Sequence, residues 1–207
     1  MIALFGSALV TFLVVIDPPG VVPIFAGLTR GTEPAHRRAM AIRSAIIAWA
    51  ILLFFALLGK PMLKALGISL ASFRIAGGIM LFFIALDMVF EKRTQRREER
   101  AHSVDGAEDI SVFPMAIPMI AGPGSIATAM LMVSRADSYS DIGIVLAAMT
   151  SVILLTLIAL LGAAPVMRLA GERIEAMITR LLGVILAALA AQFVIDGLRQ
   201  SFPALQS

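Results

Sequence analysis

The sequence predicts an all-α membrane protein: six transmembrane helices forming two inverted three-helix repeats, with helices 1 and 4 broken near the membrane midplane. Three observations predict it. Hydrophobic residues make up 59% of the 207 and charged residues 15%, and the mean hydropathy of +0.95 is far from that of an ordinary soluble domain. Six apolar runs each approach the roughly 20 residues needed to cross a hydrocarbon core about 30 Å thick. Prolines and glycines, scarce inside helices for backbone reasons, repeat in register about halfway along the chain.

The first run, 2–28, follows Met1 with no basic residue ahead of it, outlasts a signal-peptide apolar region and offers no small-x-small cleavage site, so it is expected to be retained. It contains VVIDPPGVVPIF, which sets an aspartate, three prolines and a glycine inside otherwise membrane-spanning sequence. The second run, 41–58, ends beside Gly59, and the third, 70–90, carries Gly77 and Gly78; these glycines are expected where helices pack closely. EKRTQRREERAHSVDGAED, 91–109, mixes both signs of charge and reads as a solvated linker between two hydrophobic halves. The fourth run, 112–133, holds FPMAIPMIAGPGS. The fifth, 142–164, reads as one span, and the sixth, 178–198, is alanine-rich with Gly183 as a further packing position. The chain is thus one transmembrane domain, 1–207: repeat one at about 1–90, a cytoplasmic linker at about 91–111 and repeat two at about 112–200.

The excess of Lys and Arg on the cytoplasmic side of membrane helices orients the chain. Arg30, Arg37, Arg38 and Arg43, the linker's Lys92, Arg93, Arg96, Arg97 and Arg100, and Arg168, Arg173 and Arg180 share one side of a six-span protein; Lys60, Lys64, Arg74, Arg135 and Arg199 share the other. Both termini are therefore expected in the periplasm. The basic balance, with a pI of about 9.9, reports topology and not a nucleic-acid partner.

A shift of 104 residues superimposes Pro19-Gly20 on Pro123-Gly124, Pro61 on Pro165, Lys64 on Arg168 and Gly67 on Gly171; two more residues of offset align Arg74 with Arg180, Gly77 with Gly183 and Ile79 with Ile185. Three spans per half is an odd number, so the second half enters the membrane from the other side. Pro18, Pro19 and Pro23, and in the second half Pro114, Pro118 and Pro123, remove N–H donors from their helices, while Gly122 and Gly124 permit backbone angles closed to other residues. A break of this kind is tolerated only where it is buried in protein or lines a wet cavity. The half-helices starting near Gly20 and Gly124 would aim free N–H groups at such a cavity, which suits a carboxylate, and freed carbonyls with Asp17 would suit an ammonium group or a cation. A zwitterion meets both requirements. The candidate substrate-binding residues are Asp17, Pro19, Gly20, Gly122, Pro123, Gly124, Ser125 and Thr128, with Asp17 also the candidate for a coupling sodium ion or proton.

Several residues carry a second reading. Asp17 before Pro18 has the form of a helix N-cap, and a cap can also line a site. Ser125 and Thr128 could reach a substrate or bond back to their own helix. Arg74 and Arg180 are expected to snorkel to opposite interfaces, and Asp87 and Asp196 to be solvated at segment ends, with Gln192 available to join a polar cluster near Asp196. The twelve methionines read as lipid-facing or core filler. No cysteine is present, and His36 and His102 fall in charged loops with no second ligand at useful spacing, so no metal site, cofactor or catalytic residue is expected and the chain does not read as an enzyme.

DPPGVVPIF in the first run, IPMIAGPGSIATAM in the fourth and FRIAGGIMLF in the third resemble the MarC family of integral membrane proteins, and the similarity covers essentially the whole chain. The resemblance implies a six-helix protein of the bacterial inner membrane whose activity is transport of small neutral amino acids such as glycine and alanine. The family's motifs fall on Asp17, Pro18, Pro19, Gly20 and Pro23, and on Ala121, Gly122, Pro123, Gly124 and Ser125; Ala121 stands where Asp17 stands in the first copy, so the acid is not duplicated.

Two function classes follow. One is a multi-pass secondary transporter for a small neutral amino acid, coupled to sodium or protons and working by alternating access of its inverted halves within membrane lipid, as a monomer or a homo-oligomer. An exporter of another small metabolite would carry the same motifs. The other is a membrane scaffold or assembly factor that uses the breaks only to shape helix packing.

Overall fold

Backbone polar groups cannot be left to lipid, so a chain this apolar must pair them within helices or closed barrels. The structure, a computed structural model, describes residues 1–90, 92, 96, 99 and 109–202, without the side chains of 164–175. Among the described residues it is all helical. The elements are α1 (Ile2–Ile16), α2 (Pro18–Leu28), α3 (Pro34–Ala65), α4 (Leu70–Val89), a wide-turned α5 (Ser111–Ile120), α6 (Pro123–Ser134), α7 (Tyr139–Leu161) and α8 (Ala163–Ser201). The reading of 91–109 as a solvated linker falls largely outside the described residues.

Local chemistry sets the ends. Pro18, Pro34 and Pro123 open α2, α3 and α6, where a missing N–H costs nothing. Ser69 and Ser138 cap α4 and α7 by accepting the N–H of Ser72 (3.0 Å) and Asp141 (3.1 Å). α3 stops in a Schellman arrangement: Gly67, at φ 69°, donates to Lys64 O (3.1 Å) and Ile68 to Leu63 O (2.9 Å). The repeat-related Gly171 instead lies inside α8, which runs through it unbroken. Its neighbours Glu172, Arg173, Glu175 and Ala176 include strong helix formers, and no serine cap follows as Ser69 follows Gly67.

Among the described residues, five helical stretches are long and apolar enough to cross a membrane: Ile2–Leu28, Pro34–Ala65, Leu70–Val89, Tyr139–Leu161 and Ala176–Ser201; α5 with α6 makes a sixth if the bent pair is one span. The chain is an integral multi-pass membrane protein. The two candidate breaks differ in form. Across Asp17 the chain continues as one 27-residue span, whereas α5 and α6 meet at 54°. The difference is local. Asp17 is a single left-handed residue between regular helices, while α5 bonds five residues apart (Met115 N to Ile110 O, 3.3 Å; Ala121 N to Ala116 O, 2.8 Å), with Phe113 and Ile117 extended before Pro114 and Pro118.

Packing is interleaved. α4 lies along α8, α1 and α2 pack on α7, α5 and α6 on α3, α2 on α8 and α6 on α4. The α4–α8 pair is antiparallel and close: a Cβ on Gly78 would meet Ala190 O at 2.8 Å, on Gly183 Ala85 O at 3.1 Å, and on Gly197 Ala71 O at 2.9 Å. Gly59 and Gly77 lie equally tightly against Met130 and Leu131 of α6. Small residues let these backbones approach as membrane helices require. The core between them holds Phe12, Phe25, Leu52, Leu81, Met115, Leu131, Met149 and Phe193, all essentially inaccessible.

Candidate functional site

At the first interruption, α1 ends on Ile16 and the Asp17 N–H closes it on Leu13 O (2.9 Å). Asp17 then adopts φ 58°, ψ 65°, a conformation that aspartate tolerates better than most residues. Its carbonyl accepts from Gly20 N (3.1 Å) and Val21 N (3.2 Å), and its Oδ1 accepts from Gly20 N at 3.3 Å. Asp17 therefore ends one helix and caps the next. Its side chain is wholly buried, and the hydroxyl of Thr179, also buried, donates to the same Oδ1 at 3.3 Å.

At the second interruption, Gly122 precedes α6 in an extended conformation without a side-chain cap. Neither glycine of the motif tolerates a side chain in place: a Cβ on Gly122 would fall 2.4 Å from Pro118 O and one on Gly124 2.5 Å from Ile84 Cδ1. The start of α6 borders a cavity of about 210 Å³. Gly122, Pro123, Gly124 and Ser125 form one wall, Pro118 and Met119 of α5 continue it, and Val15 and Ile84 supply apolar surface. Asp87 of α4 and Arg96 bring opposite charges to the same cavity and pair with each other. A helix start offers partly positive N–H groups, so the cavity presents donors, a carboxylate and a guanidinium around a small apolar volume.

Of the residues expected from sequence, the cavity gathers Gly122, Pro123, Gly124 and Ser125. Asp17, Pro19, Gly20 and Thr128 do not line it. Thr128 is fully buried in α6, and its hydroxyl has no hydrogen-bond partner among the described residues, although Thr11, Thr29, Ser44 and Thr156 all bond back to the carbonyl four residues earlier. At the far end of α6 and α4 sits a second polar cluster. Arg135 pairs with Asp196 and stacks 4.3 Å from the centre of the Phe193 ring; Gln192 donates to Asp196 Oδ1 (2.7 Å) and Arg74 to Gln200 Oε1 (2.9 Å). Arg74 and Asp196, expected at segment ends, thus join a network there. Among the described residues no group of three His, Cys, Asp or Glu could hold a metal ion.

The family model described as MarC family integral membrane protein matches residues 2–202. The chain belongs to the MarC family. Relatives include a UPF0056 membrane protein of Methanocaldococcus jannaschii, 39% identical over 89% of this chain and 91% of its own. YvbG, a UPF0056 membrane protein of Bacillus subtilis, is 35% identical over the full length of both chains. The UPF0056 inner membrane protein YhgN of Escherichia coli is 33% identical over 93% of this chain and 95% of its own. No solved structure matches.

In this MarC family member Asp87, expected to be solvated at a segment end, and Arg96, expected as one of the linker's cytoplasmic charges, instead pair at the cavity. Asp87 had a signal: it is an acid inside the third apolar run, three residues before its end. Arg96 had none beyond its charge, because nothing in a mixed-charge linker marks which arginine turns back to the helices. Thr179, which donates to Asp17, was not singled out in the sequence at all.

Proposed function

We propose that this MarC protein is a secondary transporter of small zwitterionic amino acids of the glycine and alanine type. The observation that carries the reading is the cavity at the start of α6, where N–H donors, Asp87 and Arg96 surround about 210 Å³. That volume lies below the roughly 300–1,000 Å³ of pockets for drug-sized ligands, which favours a small cargo. The carboxylate of an amino acid fits the N–H groups of Gly124 and Ser125, its ammonium fits Asp87, and a short side chain fits the apolar wall.

The packing supports an inverted repeat. Exchanging the halves turns the contacts of α1 and α2 with α7 into those of α5 and α6 with α3, and the contact of α2 with α8 into that of α6 with α4. The antiparallel α4–α8 pair maps onto itself, with Gly78 and Gly183 near symmetric places. Two halves related in this way can rock about a shared site between inward-open and outward-open shapes. In this reading Asp17 and Gly20 form the first of two breaks near the midplane, both termini are periplasmic and the cavity faces the cytoplasmic linker. The Arg135–Asp196 cluster closes the other end. Asp17 couples transport to a sodium ion or proton.

Heat protection tests the reading, since a ligand that binds the folded state raises its stability by RT ln(1 + [L]/Kd). Alanine at about a hundred times its Kd adds about 2.7 kcal/mol, or roughly 5–11 °C in the melting temperature of a chain this long. Absence of any shift with glycine, alanine or serine would contradict it, because a scaffold has no such dependence.

A further inference from the structure

Arg96 belongs to the central linker, yet it reaches the cavity, where it pairs with Asp87. The two ends of this pair are unlike: the Arg96 side chain is 60% exposed and that of Asp87 19%. Asp87 is held in the wall by α4, whereas Arg96 arrives nine residues later on the linker and can leave into water with little desolvation change. We propose that Arg96 is a latch that takes the place of the cargo's ammonium group at Asp87, and that the cargo opens the cavity by replacing it. The inference rests on the zwitterion reading above.

The chemistry requires an exchange of one cation for another at one carboxylate. A guanidinium and a primary ammonium both donate to Asp87, so they cannot occupy it fully at once. Both partners of the pair line the same cavity as Gly124 and Ser125. Filling it with a zwitterion adds what Arg96 lacks, a carboxylate for the N–H groups at the start of α6. A solute carrying only one of the two charges gains only half of that exchange, so the latch discriminates in favour of amino acids over amines or carboxylic acids. An exposed ion pair suits this task, because a stronger one would exclude the cargo.

The two partners consequently act in opposite directions, which a purely structural ion pair would not. The chain has no cysteine, so Ser125→Cys supplies a single thiol in the cavity wall. Its labelling by a charged methanethiosulfonate in detergent reads the latch, and protection by alanine reads the cargo. Arg96→Gln and Asp87→Asn should each raise the labelling rate about two- to fivefold, the factor an ion pair of this exposure is worth. Arg96→Gln should lower the alanine concentration that protects by a similar factor. Asp87→Asn should raise it at least about tenfold, by loss of a charge-assisted hydrogen bond. The melting-temperature shift with alanine, measured on the same two variants without the cysteine, gives the same order if the thiol disturbs the wall. Protection of the unmutated cavity with both variants moving the same way, or neither moving, would overturn the latch and leave the transporter reading intact. Failure of alanine and glycine to protect the parent protein would overturn that reading and the latch with it.

Discussion

Gly122→Ala probes the geometry that shapes the cavity. The added Cβ would sit 2.4 Å from Pro118 O, closer than real Cβ atoms approach a non-bonded heavy atom, and the obstacle is backbone of α5 and not a side chain that can rotate away. Relief requires α5 or the start of α6 to move, and overpacking of this kind costs about 1–3 kcal/mol. At about 2–4 °C per kcal/mol for 150–250 residues, the melting temperature in detergent should fall by roughly 2–12 °C. Two glycines calibrate the measurement. Gly124→Ala meets Ile84 Cδ1 at 2.5 Å, the far end of a side chain that can rotate, so its cost should be smaller although it takes cavity volume. Gly143→Ala, exposed in α7 with nothing within 4 Å, should gain about 0.5–1 kcal/mol from helix propensity. Size-exclusion profiles after heating give the order Gly143→Ala, parent, Gly124→Ala, Gly122→Ala. A Gly122→Ala protein that melts at or above the parent would refute the close approach and the bend built on it.

Asp17→Ala should destabilise the protein by about 1–2 kcal/mol through loss of the cap, and by more through the left-handed backbone, whereas Asp17→Asn keeps both features and should melt near the parent. If Asp17 couples transport, Asp17→Asn should also lose gradient dependence; intact gradient dependence would leave it a cap alone. Thr128→Val removes a buried hydroxyl that has no partner among the described residues and lies outside the cavity lining, so stability should hold or rise while alanine uptake stays as in the parent. An increase in the alanine concentration for half-maximal uptake would place Thr128 at the site. At the linker's end, the N–H bond from Ser111 (2.8 Å) and the charge of Arg43 hold the Asp109 carboxyl below its usual pKa. That contribution is complete above the ordinary value of about 3.9 and disappears as pH falls through the lowered one, so parent and Asp109→Asn should differ in heat stability near pH 6 and converge below about pH 3. Curves that stay parallel would exclude a stabilising charge on Asp109, held by Ser111 and by Arg43 2.5 Å away.

The spans were legible because lipid imposes a length and a composition that no soluble helix needs, and 2–28, 70–90 and 142–164 lie within a few residues of the observed helices. The bend between α5 and α6 was legible because Pro114, Pro118 and Pro123 each restrict the backbone in a known way and Gly122 frees it. The first was legible as an interruption but not as a gentle one, since DPPG does not say that Asp17 alone will absorb the change. Ends set by polar sequence were harder: helix formers carry α8 back to Ala163, well before the apolar run that begins near 178. Site residues on separate segments were hardest. Asp87 and Arg96 pair locally, nine residues apart, but they share a cavity with Val15, Pro118 and Gly122 to Ser125 only once α1, α4, α5 and α6 have packed.

Uptake of radiolabelled alanine into proteoliposomes, with and without imposed sodium and proton gradients, tests the central claim most directly, with Gly124→Val beside the parent. The account predicts gradient-dependent uptake by the parent and none by Gly124→Val, whose side chain would fill the cavity against Ile84, Leu81 and Val15. Equal uptake by both proteins would move the site away from α6, and no uptake by a parent protein confirmed to be inserted would contradict the transporter reading.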